Sequence, residues 1–202
     1  MKKDDRDDFD LDSESERILF LTDVDESPVT TVIAHLFTLA KKDKKKSIYI
    51  VINTFGGSVY DMFALYDAMK YIQSLGTAVN TIGIGKIMSA GVLLLAAGSE
   101  RKVGQNASIM YHWGKSEAAG DIFEMEVEIQ ETKRIEHLCN KLLSENSKMS
   151  IADIENLISK RTDVYLSASD AIHYGIADMI LEIPPEKKPK PLKKKLPRKT
   201  KK

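Results

Sequence analysis

The stretch "GIGKIMSAGVLLLAAG", residues 83–98, joins the end of a buried strand to a helix of small and aliphatic residues. Its only hydroxyl belongs to Ser89, which stands at the junction. A serine in this place commonly caps a helix. The N–H groups and positive dipole end of a helix N-terminus also suit a developing oxyanion. The stretch therefore predicts a strand–turn–helix unit and leaves two roles open for Ser89, a cap and a nucleophile.

The strand–turn–helix unit recurs along the chain. "SIYIVIN" (47–53) is the β-branched and aromatic run expected of a strand buried on both faces, and the glycine turn "TFGGS" (54–58) follows it. Apolar residues then recur at helical spacing: Met62, Tyr66, Met69 and Ile72. Further strands are predicted in "ERILFL" (16–21), "AVNTIGIG" (78–85), "SIMYHW" (108–113) and "IADMILEI" (176–183). Strands alternating with helices predict an α/β fold with mainly parallel pairing.

Hydroxyl and acidic residues mark the predicted helix starts. Ser27 before Pro28 predicts a helix that runs to the lysine cluster at 41–46. Asp121 with Glu124 predicts a capping box for a long helix ending near Ser147. Its apolar stripe consists of Ile122, Met125, Ile129, Ile135, Leu138 and Leu142. Two further boxes pair Ser150 with Asp153 and Ser167 with Asp170, and Gly175 ends the last helix.

Charge is distributed asymmetrically in a chain whose formal net charge is zero, with 30 Lys+Arg against 30 Asp+Glu. Residues 4–16 contain eight acidic side chains, and residues 187–202 contain ten basic ones. Such blocks are typical of solvated, disordered tails. The sequence therefore predicts an acidic N-terminal segment (1–15), one domain (16–184) and a basic tail (185–202). The tail would be simply solvated, or would contact an acidic partner or nucleic acid through salt-dependent charge attraction.

Composition also narrows the class of protein. No apolar run approaches the length of about 20 residues that spans a bilayer, and the acidic N-terminus is unlike a signal peptide. We expect a soluble cytoplasmic protein without membrane contact. Cys139, the one cysteine, falls in a helical pattern and is expected to be a small buried or half-buried apolar side chain rather than a reactive thiol. No Cys/His cluster has zinc spacing, so no metal is expected.

A nucleophilic serine needs a base, and four histidines are available. His112 is the strongest candidate because it ends a buried-looking strand, where α/β proteins place their chemistry. The other three, His35, His137 and His173, lie in helical patterns, where a surface or core role is commoner. A Ser–Lys dyad with Lys86, three residues before Ser89, is less favoured because a lysine in a turn is normally solvated.

Two further candidates have weaker signals. Asp163, in "RTDVYLS", could orient a histidine, although an aspartate in a turn is usually solvated. In "NTFGGS", Gly57 could offer its N–H to an anion or an extended ligand, although paired glycines are more often only a turn. The pattern G-x-S-x-G is absent around Ser89, because Ile87 replaces its first glycine, and no P-loop follows the glycine turn.

Five stretches in this order resemble the proteolytic subunit of the Clp protease family (ClpP), over roughly residues 16–181. They are "ERILFL", "IYIVINTFGGSVYDMFALYDAMKYI", "TIGIGKIMSAGVLLLAAG", "SIMYHW" and "TDVYLSASDAIHYGIADMIL". The resemblance implies the ClpP/crotonase ββα spiral with a protruding handle helix that starts at Asp121. It implies a serine endopeptidase with Ser89 as nucleophile, His112 as general base and then acid, and Asp163 orienting the imidazole.

The resemblance also implies an oxyanion hole from the backbone N–H groups of Gly57 and Ala90. It implies a homo-oligomer of two stacked heptameric rings, fed by a AAA+ unfoldase that alone uses ATP, and a peptidase that needs no cofactor. The sequence departs from the family at Phe55, where proline is usual, at Trp113-Gly114 in place of Gln-Pro, and at Lys86-Ile87. These departures leave the cleft and the cleavage preference open. The acidic N-terminal segment replaces the apolar pore loops that contact the unfoldase.

Two other interpretations remain open at this point. A catalytically inactive ring subunit would keep the fold as a scaffold, although such a scaffold has no need of all three triad residues. A crotonase-like enzyme acting on acyl-CoA would use paired N–H groups to polarise a thioester.

Overall fold

A computed structural model describes residues 17–114, 120–160 and 162–181. The strands are β1 (Ile18–Leu21), β2 (Ile48–Thr54), β3 (Val79–Met88), β4 (Arg101–Val103), β5 (Ser108–Tyr111), β6 (Val164–Leu166) and β7 (Met179–Ile180). The helices are α1 (Glu26–Lys42), α2 (Val59–Ser74), α3 (Ala90–Ala96), α4 (Ile122–Glu145), α5 (Ile151–Ile158) and α6 (Ala168–His173). Both predicted tails, 1–15 and 185–202, lie outside the described residues.

The strands form one mainly parallel sheet that branches at β3. Its path is β1-β2-β3-β4-β7, while β5 pairs with β3 and β6 pairs with β5. Residues 81–83 of β3 pair with β4, and residues 86–88 pair with β5. Gly85, with φ 64°, lies between these two pairings. Only β5–β6 is antiparallel among the described pairings. The predicted α/β class is confirmed, but the short strand β4 was missed.

Burial of β2 on both faces is also confirmed. Ile48, Ile50 and Ile52 belong to the main core, whereas Tyr49 and Val51 join a smaller apolar cluster on the other face. The main core also takes in the buried faces of α1 and α2 and all of α3. Each fully buried aliphatic side chain contributes about 1.5–3 kcal/mol relative to an exposed one. This core fixes the carboxyl ends of β2 and β3, where the candidate site residues lie.

The first helix begins earlier than predicted. Its N-cap is Asp25, with φ −128° and ψ 167°, so Ser27 lies inside the helix and the predicted Ser27 cap is wrong. Pro28 fits in the first turn because the N–H groups there have no acceptor within the helix. Backbone hydrogen bonds from Val24 N–H to the Gly56 carbonyl (3.2 Å) and from Ser58 N–H to the Val24 carbonyl (2.7 Å) set where the chain enters the helix.

The long helix α4 differs from its prediction in how it packs. Its capping box of Asp121 and Glu124 is confirmed. Its predicted apolar stripe is not buried along the first half, since 68% of Ile122 and 46% of Ile129 are exposed. Burial occurs only near the other end, at Asn140 and Leu143. The first half of α4 therefore projects from the core of the single chain.

The remaining helix starts agree with the sequence. Ser150 with Asp153 and Ser167 with Asp170 each form a complete capping box, and Gly175 follows the last helix with φ 73°. Of the predicted final strand, only Met179–Ile180 is paired, while residues 182–183 lie outside the described part. Within the described ranges, no helix combines the length and the apolar character needed to cross a bilayer.

Candidate active site

Ser89 occupies the turn between β3 and α3 in a backbone conformation that non-glycine residues rarely adopt. Its φ is 53° and its ψ is −121°. Such a conformation costs on the order of 1–3 kcal/mol and persists only where the surroundings hold it. Here the Ser89 N–H donates to the Met110 carbonyl at 2.7 Å, and the small helix α3 is buried along its whole length. The Ser89 side chain makes no capping hydrogen bond, so it does not act as a cap.

The Ser89 hydroxyl instead contacts a histidine. Its Oγ lies 2.9 Å from Nε2 of His112. The parallel pairing of β3 with β5 sets Met88 beside Met110, and His112 directly follows β5. The other three histidines lie exposed on helices. Of the four predicted candidates, the fold thus brings His112 alone to Ser89.

Asp163 lies on the other side of His112. Antiparallel pairing of β5 with β6 sets Tyr111 opposite Val164, which places the preceding Asp163 beside the imidazole. The Asp163 Oδ1 atom is 3.6 Å from Nδ1 of His112. This separation is within the range of an ion pair but longer than a hydrogen bond. The three predicted residues are therefore assembled in the order serine, histidine, aspartate, with the second contact the looser one.

The glycine turn packs directly against Ser89. A Cβ on Gly56 would lie 2.8 Å from the Ser89 Cβ and 3.3 Å from the Ala90 nitrogen, and φ at Gly56 is 104°. A Cβ on Gly57 would lie 2.3 Å from the Val24 carbonyl oxygen. Both positions therefore need glycine. The bridge between Val24 and Gly57 uses the Gly56 carbonyl and the Ser58 N–H. The Gly57 N–H consequently points to the opposite edge, and Gly57 lines the same cleft as Ser89 and Ala90.

A cleft of about 440 Å³ opens beside Ser89 and His112. Its walls come from the start of α2, from α3, from the end of β5 and from one face of α4. Three glutamates of α4 also line it: Glu128, Glu131 and Glu136. Glu131 accepts hydrogen bonds from Arg134 at 2.7 Å and from Tyr60 at 3.1 Å, and the Arg134 bonds lower the pKa of Glu131 to about 2.

Polar and sulfur-containing groups lie deeper in the same cleft. The Tyr111 hydroxyl donates to Asn140 Oδ1 at 3.0 Å, and burial raises the pKa of this tyrosine. Cys139 also lines the cleft, and burial raises the pKa of its thiol to about 11, which leaves it protonated at neutral pH. The expectation of an unreactive cysteine is in keeping with this environment. Sequence reasoning missed the part that α4 plays in the cleft, because this helix lies far from Ser89 along the chain.

Lys86 does not approach Ser89 as a base would. Its Nζ lies over the Phe55 ring, 4.5 Å from the ring centroid.

Across residues 17–114, 120–160 and 162–181, no three His, Cys, Asp or Glu side chains are grouped closely enough to hold a metal ion. The described groups place a serine hydroxyl against an imidazole, and an imidazole in such a contact can accept the hydroxyl proton. The family model described as Clp protease matches residues 6–184 of this chain.

Proposed function

The chain belongs to the Clp protease family, and from this premise we propose that it is a serine endopeptidase acting on unfolded proteins or peptides. The observation that carries the proposal is the 2.9 Å contact between Ser89 Oγ and His112 Nε2. A serine hydroxyl is a weak nucleophile at neutral pH unless an adjacent base accepts its proton. The position of His112 beside Ser89, on the wall of an open cleft, supports this role for the imidazole.

In the proposed reaction, Ser89 Oγ attacks the peptide carbonyl while His112 Nε2 accepts the hydroxyl proton. The tetrahedral oxyanion is held by the N–H groups of Gly57 and Ala90. His112 then returns the proton to the leaving amine, and an ester on Ser89 remains. Water attacks this ester with His112 again as base, which releases the carboxylic acid and restores the serine.

Asp163 is assigned the role of holding the imidazole in the tautomer that presents Nε2 to Ser89. At 3.6 Å the contact between Oδ1 and Nδ1 must shorten before it becomes a hydrogen bond. Because Asp163 enters the site at the start of β6, a small movement of this strand against β5 would be sufficient. Assembly of the chain into rings is the event to which we assign this movement.

Ring assembly is part of the proposal, as two stacked heptameric rings enclosing the serines. It is supported by the exposed apolar side chains on the first half of α4, Ile122, Phe123, Val127 and Ile129. Exposed apolar groups of this size usually mark an interaction surface. A AAA+ unfoldase is proposed to deliver substrates, with ATP used on its own subunits. The basic tail is proposed to hold an acidic partner or nucleic acid.

The second candidate function is that of a non-catalytic ring subunit, favoured by the same 3.6 Å separation between His112 and Asp163. Labelling with a fluorophosphonate separates the two functions. We expect the assembled chain to be labelled, Ser89→Ala to lose the label and Ser74→Ala, which changes an exposed serine of α2, to keep it. His112→Gln should slow labelling and lower peptide hydrolysis by at least about 10³-fold.

Failure to label the assembled wild-type ring would favour the scaffold. Turnover of an acyl-CoA thioester in place of peptides would favour the crotonase-like alternative.

A further inference from the structure

Phe55 and Lys86 form an exposed platform beside the candidate nucleophile. The Phe55 side chain is 68% exposed, and the Lys86 ammonium lies 4.5 Å from its ring centroid. An ammonium over an aromatic face is attracted by the ring quadrupole. Lys86 itself is half-buried. A large exposed ring and a lysine close to a reacting centre are features that a ligand could use.

The backbone holds this platform at a fixed place relative to Ser89. Asn53 Oδ1 accepts a hydrogen bond from the Lys86 N–H at 3.3 Å, and Thr54 pairs with Ile87 across β2 and β3. Lys86 precedes Ser89 by three residues, and Phe55 directly precedes Gly56, which packs on Ser89. The platform is therefore built on the same two strand ends that position the nucleophile.

The platform lies outside the cleft. Gly57 and Ser58 line the cleft, whereas neither Phe55 nor Lys86 does. Gly56, in contact with Ser89, separates the two surfaces along the chain. A peptide with one side chain in the cleft and its carbonyl at Ser89 continues beyond the cleft, and the platform, on the strand ends next to Ser89, is a surface that this continuation can reach.

The two surfaces differ in the charged groups that line them, although Glu131 of the cleft is paired with Arg134. The cleft is lined by three glutamates and, among the described residues, by no lysine or arginine. The platform offers an ammonium, and the described residues place no carboxylate within ion-pairing distance of it. A substrate carboxylate would therefore meet Lys86 without having to displace an acidic partner from the described part of the chain. The methylene groups of that substrate side chain could pack against the Phe55 ring.

We propose that Phe55 and Lys86 form a subsite that selects an acidic side chain on the leaving-amine side of the scissile bond. This inference rests on the proposed peptidase function, because it assigns a substrate preference to the same site. Phe55 supplies an apolar surface, and Lys86 supplies the charge. Because the ammonium is partly exposed, the attraction is modest and weakens with salt.

The test uses three quenched fluorescent peptides that are identical except for Glu, Gln or Lys at the first position after the scissile bond. We expect kcat/KM for the Glu peptide to exceed that for the Gln peptide by about threefold, the size of an exposed ion pair. The Lys peptide should be the poorest substrate. Lys86→Gln should bring the Glu/Gln ratio to about one, as should 0.5 M salt for the wild-type chain.

Lys45→Gln is the matched control. Lys45 is an exposed lysine in the loop before β2, at the opposite end of that strand from Phe55. It should leave the Glu/Gln ratio unchanged. A ratio is used because it does not depend on how much active protein each preparation contains. Equal rates for all three peptides, or a Lys86→Gln ratio equal to that of the wild type, would overturn the subsite.

Binding separates failure of the subsite from failure of the proposed function. The same peptides, labelled with a single fluorophore, are titrated with Ser89→Ala protein and followed by anisotropy. Tighter binding of the Glu peptide without any hydrolysis by the wild type would uphold the subsite and reject the peptidase. Hydrolysis without any difference in rate or binding would reject the subsite and leave the peptidase standing.

Discussion

Ser89 and Ser150 each stand immediately before a helix, and they behave differently. Ser150 has φ −74°, and its hydroxyl accepts a hydrogen bond from the Asp153 N–H at 3.1 Å. Ser167, before α6, does the same with Asp170 at 3.2 Å. Ser89 has φ 53°, and its hydroxyl lies at His112. One residue type in one position thus serves as a helix cap in two places and as a histidine partner in the third.

The difference lies in what surrounds each serine. Ser150 follows an irregular segment after α4 and Ser167 directly follows β6, and both adopt the extended conformation that a cap requires. Ser89 is held by the Met110 carbonyl on one side and by Gly56 on the other. These long-range contacts impose a positive φ and turn the hydroxyl away from the helix. A strained serine at a helix start is therefore better evidence of a reactive group than a relaxed one.

Gly56→Ala should produce the largest effect, because its Cβ would collide with the Ser89 Cβ. We expect kcat/KM for a neutral peptide to fall by at least about 100-fold, since a displacement of about 1 Å at the reacting centre costs that much. Gly76→Ala is the control, with a similar φ of 91° but open space around the new methyl group.

Gly76→Ala should lower the free energy of unfolding by about 1 kcal/mol through backbone strain, and leave hydrolysis unchanged. Retained hydrolysis in Gly56→Ala would mean that the glycine turn does not position Ser89.

The free energy of unfolding should also distinguish Ser89 from the two capping serines. Ser150→Ala and Ser167→Ala each remove a cap and should lower the free energy of unfolding by about 1 kcal/mol. Ser89→Ala removes no cap and should change it by less than about 0.5 kcal/mol. Urea unfolding of the three variants beside the wild type measures the differences. If Ser89→Ala lowers the free energy of unfolding as much as Ser150→Ala does, the distinction between a capping and a non-capping serine is contradicted.

At acid pH, the wild type and Ser150→Ala should differ slightly less in their free energy of unfolding. Hydrogen bonds from the Ser150 hydroxyl and N–H hold the pKa of Asp153 below its usual value, and Ser167 does the same for Asp170. A depressed folded-state pKa stabilises the fold above the unfolded value of about 3.9, and this contribution is lost as pH falls through the folded value.

The stability difference between wild type and Ser150→Ala should therefore narrow when unfolding is measured below about pH 4. Ser89→Ala should show no such trend, because no carboxylate caps with Ser89. If the wild type and Ser150→Ala differ by the same free energy of unfolding from pH 7 to pH 3, the role given to Asp153 is contradicted.

Sequence alone predicted the features whose causes are local. The capping boxes join residues three apart, and the buried strand β2 is marked by its own apolar residues, so both could be recognised without the fold. The predicted start of α1 was wrong. The helix begins where Val24 contacts the glycine turn, and not at Ser27. The packing of α4 was also misjudged, since an apolar stripe does not say whether it covers its own core or another surface.

The candidate site shows the same division. The sequence itself determined that a serine precedes a helix, that a histidine ends a strand, and that two glycines follow another strand. Only the tertiary structure decided that Ser89 and His112, 23 residues apart, meet at 2.9 Å. It also decided that the pairing of β6 with β5 places Asp163 beside His112, and that the Lys86 ammonium lies over the Phe55 ring. The physical reason is that hydroxyls, imidazoles and ammonium groups have several possible partners nearby, and strand pairing over long distances selects among them.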